Sequence, residues 1–199
     1  VLADHGDEPF PQRLVEADLT AELGVSRGPV RDAFGRLAIE GLLELSPHRG
    51  ARVRSYSRDE IRALFDVREV VEGLAARCAA RVCGESREVR DQIVAIHRDM
   101  KAAAKAGRIQ EYSALNRSFH DAILNAAGNP VLTPVVRQLQ IHALRTVFQS
   151  VVHRDMLLQS LNEHQLIVER LIEADETGAE KAMRAHIRAA RLHFSKNVA

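Results

Sequence analysis

A glycine, a serine and a proline within six residues (Gly24, Ser26, Pro29) force one helix to stop and another to start almost at once. Gly24 takes the left-handed conformation that ends helices without strain. Ser26 is a good N-cap, and Pro29 falls in the next helix's first turn, where its missing N–H costs little. Before this break, Leu14, Leu19 and Leu23 suit the inner face of a short helix. After it, Val30, Ala33, Phe34 and Leu37 recur at helical spacing as a buried stripe. Arg27, Arg31 and Arg36 lie off that stripe. Leu42 to Leu45 and Ala51 to Val53 read as short strands, with Pro47, His48, Arg49 and Gly50 turning between them. Helix, sharp turn, helix and a hairpin with a basic tip is the layout of a winged helix-turn-helix, which sets its second helix in the major groove of DNA.

The charge distribution agrees with this layout better than the total does. The formal net charge is only +1. From Ser26 to Arg54, however, six arginines (Arg27, Arg31, Arg36, Arg49, Arg52, Arg54) face three acids (Asp32, Glu40, Glu44). A local positive patch attracts phosphates even on a nearly neutral chain.

Beyond the hairpin the chain reads as helices alone. A boundary falls near Ser55 to Ser57, dividing a DNA-binding domain over 1–56 from a helical domain over 57–199. Ser57 and Glu60 have the spacing of a capping box. No proline occurs between Pro47 and Pro130, which permits long helices. Six helices are expected, over about 58–82, 86–106, 109–127, 130–152, 155–174 and from Thr177 to about Ser195, where Thr177 and Glu180 form a second capping box. The first carries an apolar stripe of Ile61, Leu64, Phe65, Val71 and Leu74. The expected architecture is mainly α: a winged helix-turn-helix followed by an antiparallel helical bundle. With 46% hydrophobic residues, 4% aromatics and no Trp, the composition suits helix-on-helix packing.

Several other classes are disfavoured. No apolar run reaches the ~20 residues of a membrane helix. The first residues, VLADHGDEPFPQ, have neither the basic start nor the apolar core of a signal peptide. They also lack an initiating Met, so residues are expected to precede Val1 in the full chain. Cys78 and Cys83 are too few for a disulfide scaffold and match no usual zinc spacing, so both are read as reduced thiols of a cytoplasmic protein.

Three of these helices place a histidine on an apolar stripe. Asn116 and His120 share the face of Tyr112, Leu115, Phe119 and Ile123. His164 falls among Leu157, Leu161, Val168 and Leu171, and His186 among Ala179, Ala182, Met183, Ile187 and Ala190. Each buried polar group left unpaired costs roughly 1–3 kcal/mol, a large share of the ~5–15 kcal/mol that stabilises a domain. A shared divalent metal is the simplest common partner. Imidazole suits zinc, nickel and similar ions, and the Asn116 amide can add an oxygen. Zinc is the expected ion. Arg68, on the first bundle helix, and Arg145, near His142 on the fourth, are candidates to grip a carboxylate through paired hydrogen bonds. His142 is a candidate lining residue, while His97, His153 and His193 read as ordinary residues.

Residues 25–53, VSRGPVRDAFGRLAIEGLLELSPHRGARV, closely resemble the DNA-binding signature of the GntR superfamily of bacterial transcription regulators. The rest of the chain resembles the all-helical FCD ligand-binding domain of the FadR-type branch. Asn116-x-x-Phe119-His120 looks like that domain's D-x-x-F-H element, and the segment 163–187 looks like the pattern carrying its other two ligand histidines, here His164 and His186. The resemblance implies a metal held by an acid and three histidines. Asn116 stands where the acid is usual, so the site carries one negative charge fewer. Gly28 stands where Thr is common and removes a possible hydroxyl contact.

Residues and resemblance together lead to one expectation. The chain is a ligand-responsive regulator, a repressor, that binds a palindromic operator as a homodimer. Ser26, Arg27, Gly28 and Arg31 meet the bases, Arg36 a phosphate, and His48, Arg49 and Gly50 place the wing. A small organic acid binds at the metal with Arg68, Arg145 and His142. Two rivals remain at this point: a metalloenzyme using the three histidines, and a regulator whose pocket takes its effector without metal. No H-E-x-x-H motif supports the enzyme.

Overall fold

The computed structural model describes residues 13–46, 50–54, 56–148 and 154–197, with the side chains of 141–148, 154–156 and 193–197 set aside. It divides into two compact units, 1–57 and 58–199.

The first unit holds β1 (Arg13–Leu14), α1 (Glu16–Leu23), α2 (Arg27–Ile39), β2 (Leu43–Ser46) and β3 (Gly50–Val53). The three strands form one sheet in the order β1-β3-β2, both pairs antiparallel. Gly24 closes α1 with φ 65°, and Ser26 takes the extended N-cap position of α2, although its hydroxyl makes no capping bond. Val30, Phe34, Leu43 and Ala51 form the small core, with Leu14, Leu19, Leu37 and Val53 packed around it.

Three residues depart from expectation. Leu14 lies not in the first helix but in β1, opposite Ala51. A two-residue strand has no periodicity to read, and its pairing is made with a segment far along the chain. Leu23 is 62% exposed, and Ala33 is exposed too. So small a core fully buries only two residues of α2, Val30 and Phe34, and none of α1.

Among the described residues the second unit holds six helices: α3 (Arg58–Glu85), α4 (Arg87–Lys105), α5 (Ile109–Ala126), α6 (Leu132–Phe148), α7 (Arg154–Ile172) and α8 (Glu176–Asn197). Their ends follow local chemistry. The Ser86 hydroxyl accepts from the Val89 N–H, and Asn129 Oδ1 accepts from Val131 and Leu132. Gly107 and Gly128 adopt positive φ after α4 and α5. The start of α8 differs from expectation: Asp175, not Thr177, caps it, its Oδ1 accepting from the Gly178 N–H at 2.8 Å. An aspartate already in the cap position makes the Thr177–Glu180 box unnecessary.

α3 packs along α8 and also meets α5, α6 and α7, so it forms the spine of the bundle. Ile61, Phe65, Ala75, Ala76, Ala79, Ala80 and Cys83 bury its inner face. Small residues there let neighbouring helices come close. Leu74, expected in this stripe, is 41% exposed, with Val67 and Val70 beside it on the outer face at i, i+3 and i+7. Cys78 and Cys83 are both free thiols. Among the described residues, no helix is long and apolar enough to cross a membrane.

Candidate nucleic-acid interface and metal centre

In the first unit, Arg27 and Arg31 stand exposed on the first turns of α2. Together with Arg13, Glu16, Phe34, Leu45 and other residues they line a hollow of about 630 Å³ between β1, the two helices and the strands. Arg31 is not idle: its Nε donates to Glu16 Oε2 at 2.8 Å, tying α2 to α1. Gly28 is exposed, and a Cβ added there would meet nothing within 4 Å. Its lack of a side chain thus relieves no crowding. Arg36 is exposed in the last turn of α2. Gly50 has φ +82°, and an added Cβ would collide with the Leu14 carbonyl. Gly50 therefore has a structural duty, letting β1 lie against β3. His48 and Arg49 lie outside the described residues.

In the second unit the helix register brings His120 (α5), His164 (α7) and His186 (α8) together. One nitrogen of each lies within 4.8 Å of the others. The ring centroids are 5.6 Å apart for His120 and His164, 4.4 Å for His164 and His186, and 5.3 Å for His120 and His186. All three rings are buried. Phe119 packs edge-on against His164, with centroids 4.9 Å apart, and forms one wall.

The hydrogen bonding is uneven. His120 Nδ1 is 3.0 Å from Glu72 Oε2, and His186 Nδ1 is 2.8 Å from Glu163 Oε2. His164 is fully buried, and neither of its ring nitrogens has a partner among the described residues. Asn116 Oδ1, one turn before His120, is buried and unpartnered as well. Such orphaned groups are rare, and each calls for an explanation. Burial, then the neighbouring His186 and His120, pushes the His164 imidazole well below its ordinary 6.5, so it is neutral and can offer a lone pair. Burial also lowers His186, against the opposing pull of Glu163. Neutral nitrogens and an amide oxygen are the donors that a borderline divalent ion takes. The residues present therefore fit such an ion.

Sequence reasoning missed the carboxylates. Burial pushes the Glu72 carboxyl up, but the Arg68 guanidinium and His120 outweigh it and hold it at about 2. Arg68, 9% exposed, donates from Nε to Glu72 Oε1 at 2.7 Å and lies over the Phe65 ring. The Arg68/Glu72 spacing on one helix was a visible signal; the reach of Glu72 to His120 was not. His97, expected to be ordinary, is buried beside Phe119 with Nε2 unpartnered. The side chains of His142 and Arg145 lie outside the described residues.

The comparisons with known proteins agree with these two units. Residues 63–189 match the model of the FCD domain, and residues 10–53 match that of the bacterial regulatory proteins of the gntR family. The chain is a GntR-family transcription regulator with an FCD domain. It is not an enzyme. This regulator is 32% identical over 186 residues to the "Probable D-xylose utilization operon transcriptional repressor" of Paenarthrobacter nicotinovorans, covering 92% of this chain and 80% of that one. It is 27% identical over 174 residues to the HTH-type transcriptional repressor RspR of Escherichia coli K12, covering 87% and 75%. Among solved structures, Escherichia coli McbR/YncC shares its fold with a TM-score of 0.81 at 19% identity, over 94% of this chain and 88% of that one. The metal-free FCD domain of TM0439 superposes with a TM-score of 0.60 at 17% identity, over 72% and 97%.

Proposed function

We propose that this regulator is a cytoplasmic repressor that binds a palindromic operator as a homodimer and is controlled by a small organic acid at a metal ion. The observation that carries the metal is His164, a fully buried imidazole with both nitrogens unpartnered among the described residues and beside two more imidazoles. His120, His164, His186 and Asn116 hold the ion, zinc in the first instance, and an ion that accepts further ligands keeps positions for water or a carboxylate. Arg68 supports the carboxylate reading. Glu72 occupies its Nε and leaves its Nη groups without a partner among the described residues. A guanidinium edge of this kind suits a carboxylate. Arg145 and His142 complete the effector set in this reading.

Ser26, Arg27, Gly28 and Arg31 meet the bases, Arg36 a phosphate, and His48 to Gly50 the backbone beside the groove. Repression follows the relatives named as repressors. The outer face of α3 supports the homodimer: Val67, Val70 and Leu74 are 49%, 55% and 41% exposed in one row, a costly thing to leave in water. The effector acts only through its different affinity for the DNA-binding and non-binding arrangements of the dimer.

Native mass spectrometry of the freshly purified chain tests this reading. A dimer mass with one zinc per chain is expected. A monomer overturns the homodimer, and a dimer that takes up neither zinc nor nickel overturns the metal site.

A further inference from the structure

We propose that Glu72 and Glu163 form an anionic outer tier of this metal site: they set which imidazole nitrogen faces the ion and supply the negative charge that Asn116 does not. The inference rests on reading the three histidines as ligands.

A neutral imidazole carries a proton on one nitrogen and a lone pair on the other. An ionised carboxylate only accepts hydrogen bonds. The nitrogen that faces a carboxylate therefore holds the proton. His120 Nδ1 faces Glu72 at 3.0 Å and His186 Nδ1 faces Glu163 at 2.8 Å. In its neutral form each of these rings is thereby held with the lone pair on Nε2. Each carboxylate comes from a different helix from its imidazole, α3 to α5 and α7 to α8, so four helices share the task. His164 has no such partner among the described residues. It sits against the other two rings and takes its orientation from packing against Phe119.

The site's charge matters as well. Three imidazoles and an amide bring no negative charge to a divalent ion, and an uncompensated buried charge is costly. The two carboxylates divide the work unequally. Arg68, 2.7 Å away, offsets the charge of Glu72, which leaves Glu72 mainly to orient His120. Glu163 accepts from the neutral Gln159 amide at 2.9 Å, and no arginine or lysine pairs with it among the described residues. Its charge is left to balance a cation.

The test uses the full chain, with zinc affinity read by competition against a chromophoric chelator. Histidine tautomers are read by nitrogen-15 NMR on metal-free protein. His120 and His186 should both carry their proton on Nδ1. Glu163→Gln keeps an acceptor but removes the charge, so it should weaken zinc by about 10- to 100-fold and leave the His186 tautomer unchanged. Adding Asn116→Asp should restore most of the loss and raise zinc affinity more in Glu163→Gln than in the unsubstituted chain, a coupling that a merely structural role of Glu163 would not give. Glu163→Leu should weaken zinc further and let His186 populate both tautomers. Unchanged zinc affinity in Glu163→Gln, a loss that Asn116→Asp does not mend, or His186 protonated on Nε2 in the unsubstituted chain would each overturn the outer tier. An unsubstituted chain with no zinc affinity would instead overturn the histidine reading beneath it.

Discussion

His164 and His186, on neighbouring helices, have ring centroids 4.4 Å apart, yet His186 has a carboxylate partner and His164 has none among the described residues. A group so placed is a burden to the metal-free fold and an asset to the loaded one. Replacing it should move the two states in opposite directions. In excess chelator, His164→Leu should melt higher than the parent, since it removes a buried unpaired group costing roughly 1–3 kcal/mol. In zinc it should melt lower than the parent, because an ion bound only to the folded state adds about 2.7 kcal/mol at a hundredfold excess over Kd. Thermal melts with and without chelator check both arms; parallel shifts in the two would remove His164 from the ligand set.

The metal-free protein should weaken in mild acid. His164, His186 and His97 all have folded pKa values lowered by burial from the ordinary 6.5. Their unfolded counterparts take up protons below about pH 6.5, while the folded state resists. Stability is then complete above pH 6.5 and falls as pH drops below it, by up to about 1.4 kcal/mol per pH unit for each group. Glu72, lowered from 4.5 to about 2, adds a second loss across that lower window. Urea midpoints in chelator between pH 8 and pH 5, on the order of one reading per half unit, test the first arm. A flat profile there would contradict it.

Arg31 serves two ends. It ties α2 to α1 through Glu16 and stands where the recognition helix meets DNA. Arg31→Ala should weaken binding to an operator found by in vitro selection by about 1–3 kcal/mol. Because the ion pair with Glu16 is exposed, its loss should cost no more than about 1 kcal/mol of stability. Glu16→Ala separates the roles: it should lose the same small stability yet keep DNA affinity. Fluorescence anisotropy and urea melts on both variants decide; equal loss of affinity in the two would assign Arg31 to structure alone.

Gly50→Ala should damage the wing itself. The left-handed backbone and the Leu14 carbonyl both exclude a Cβ. Loss of β1 pairing and a lower melting temperature are expected, with DNA affinity falling as a consequence. An unaltered melt with weaker DNA binding would make Gly50 a contact residue and not a structural one.

Val70→Glu, in the exposed row of α3, should give a folded monomer in analytical ultracentrifugation with zinc still bound. Retained dimer would place the contact on another face.

How far the sequence reaches is visible in particular residues. Gly24 and Ser26 sit where the break between helices predicts, with the helices on either side. His120, His164 and His186 turn inward as their stripes require. These features depend on backbone chemistry within a turn or two, or on a spacing of three and four, and a single strand of letters holds both. Other features depend on what lies across from a residue. Leu14 became a strand because β3 passed beside it, and Leu74 faces out because the bundle closed on the other side of α3. Glu72 meets His120 across 48 residues, and Glu163 meets His186 across 23. Periodicity says which face of a helix is apolar; only the packed register of one helix against another decides which carboxylate reaches which imidazole.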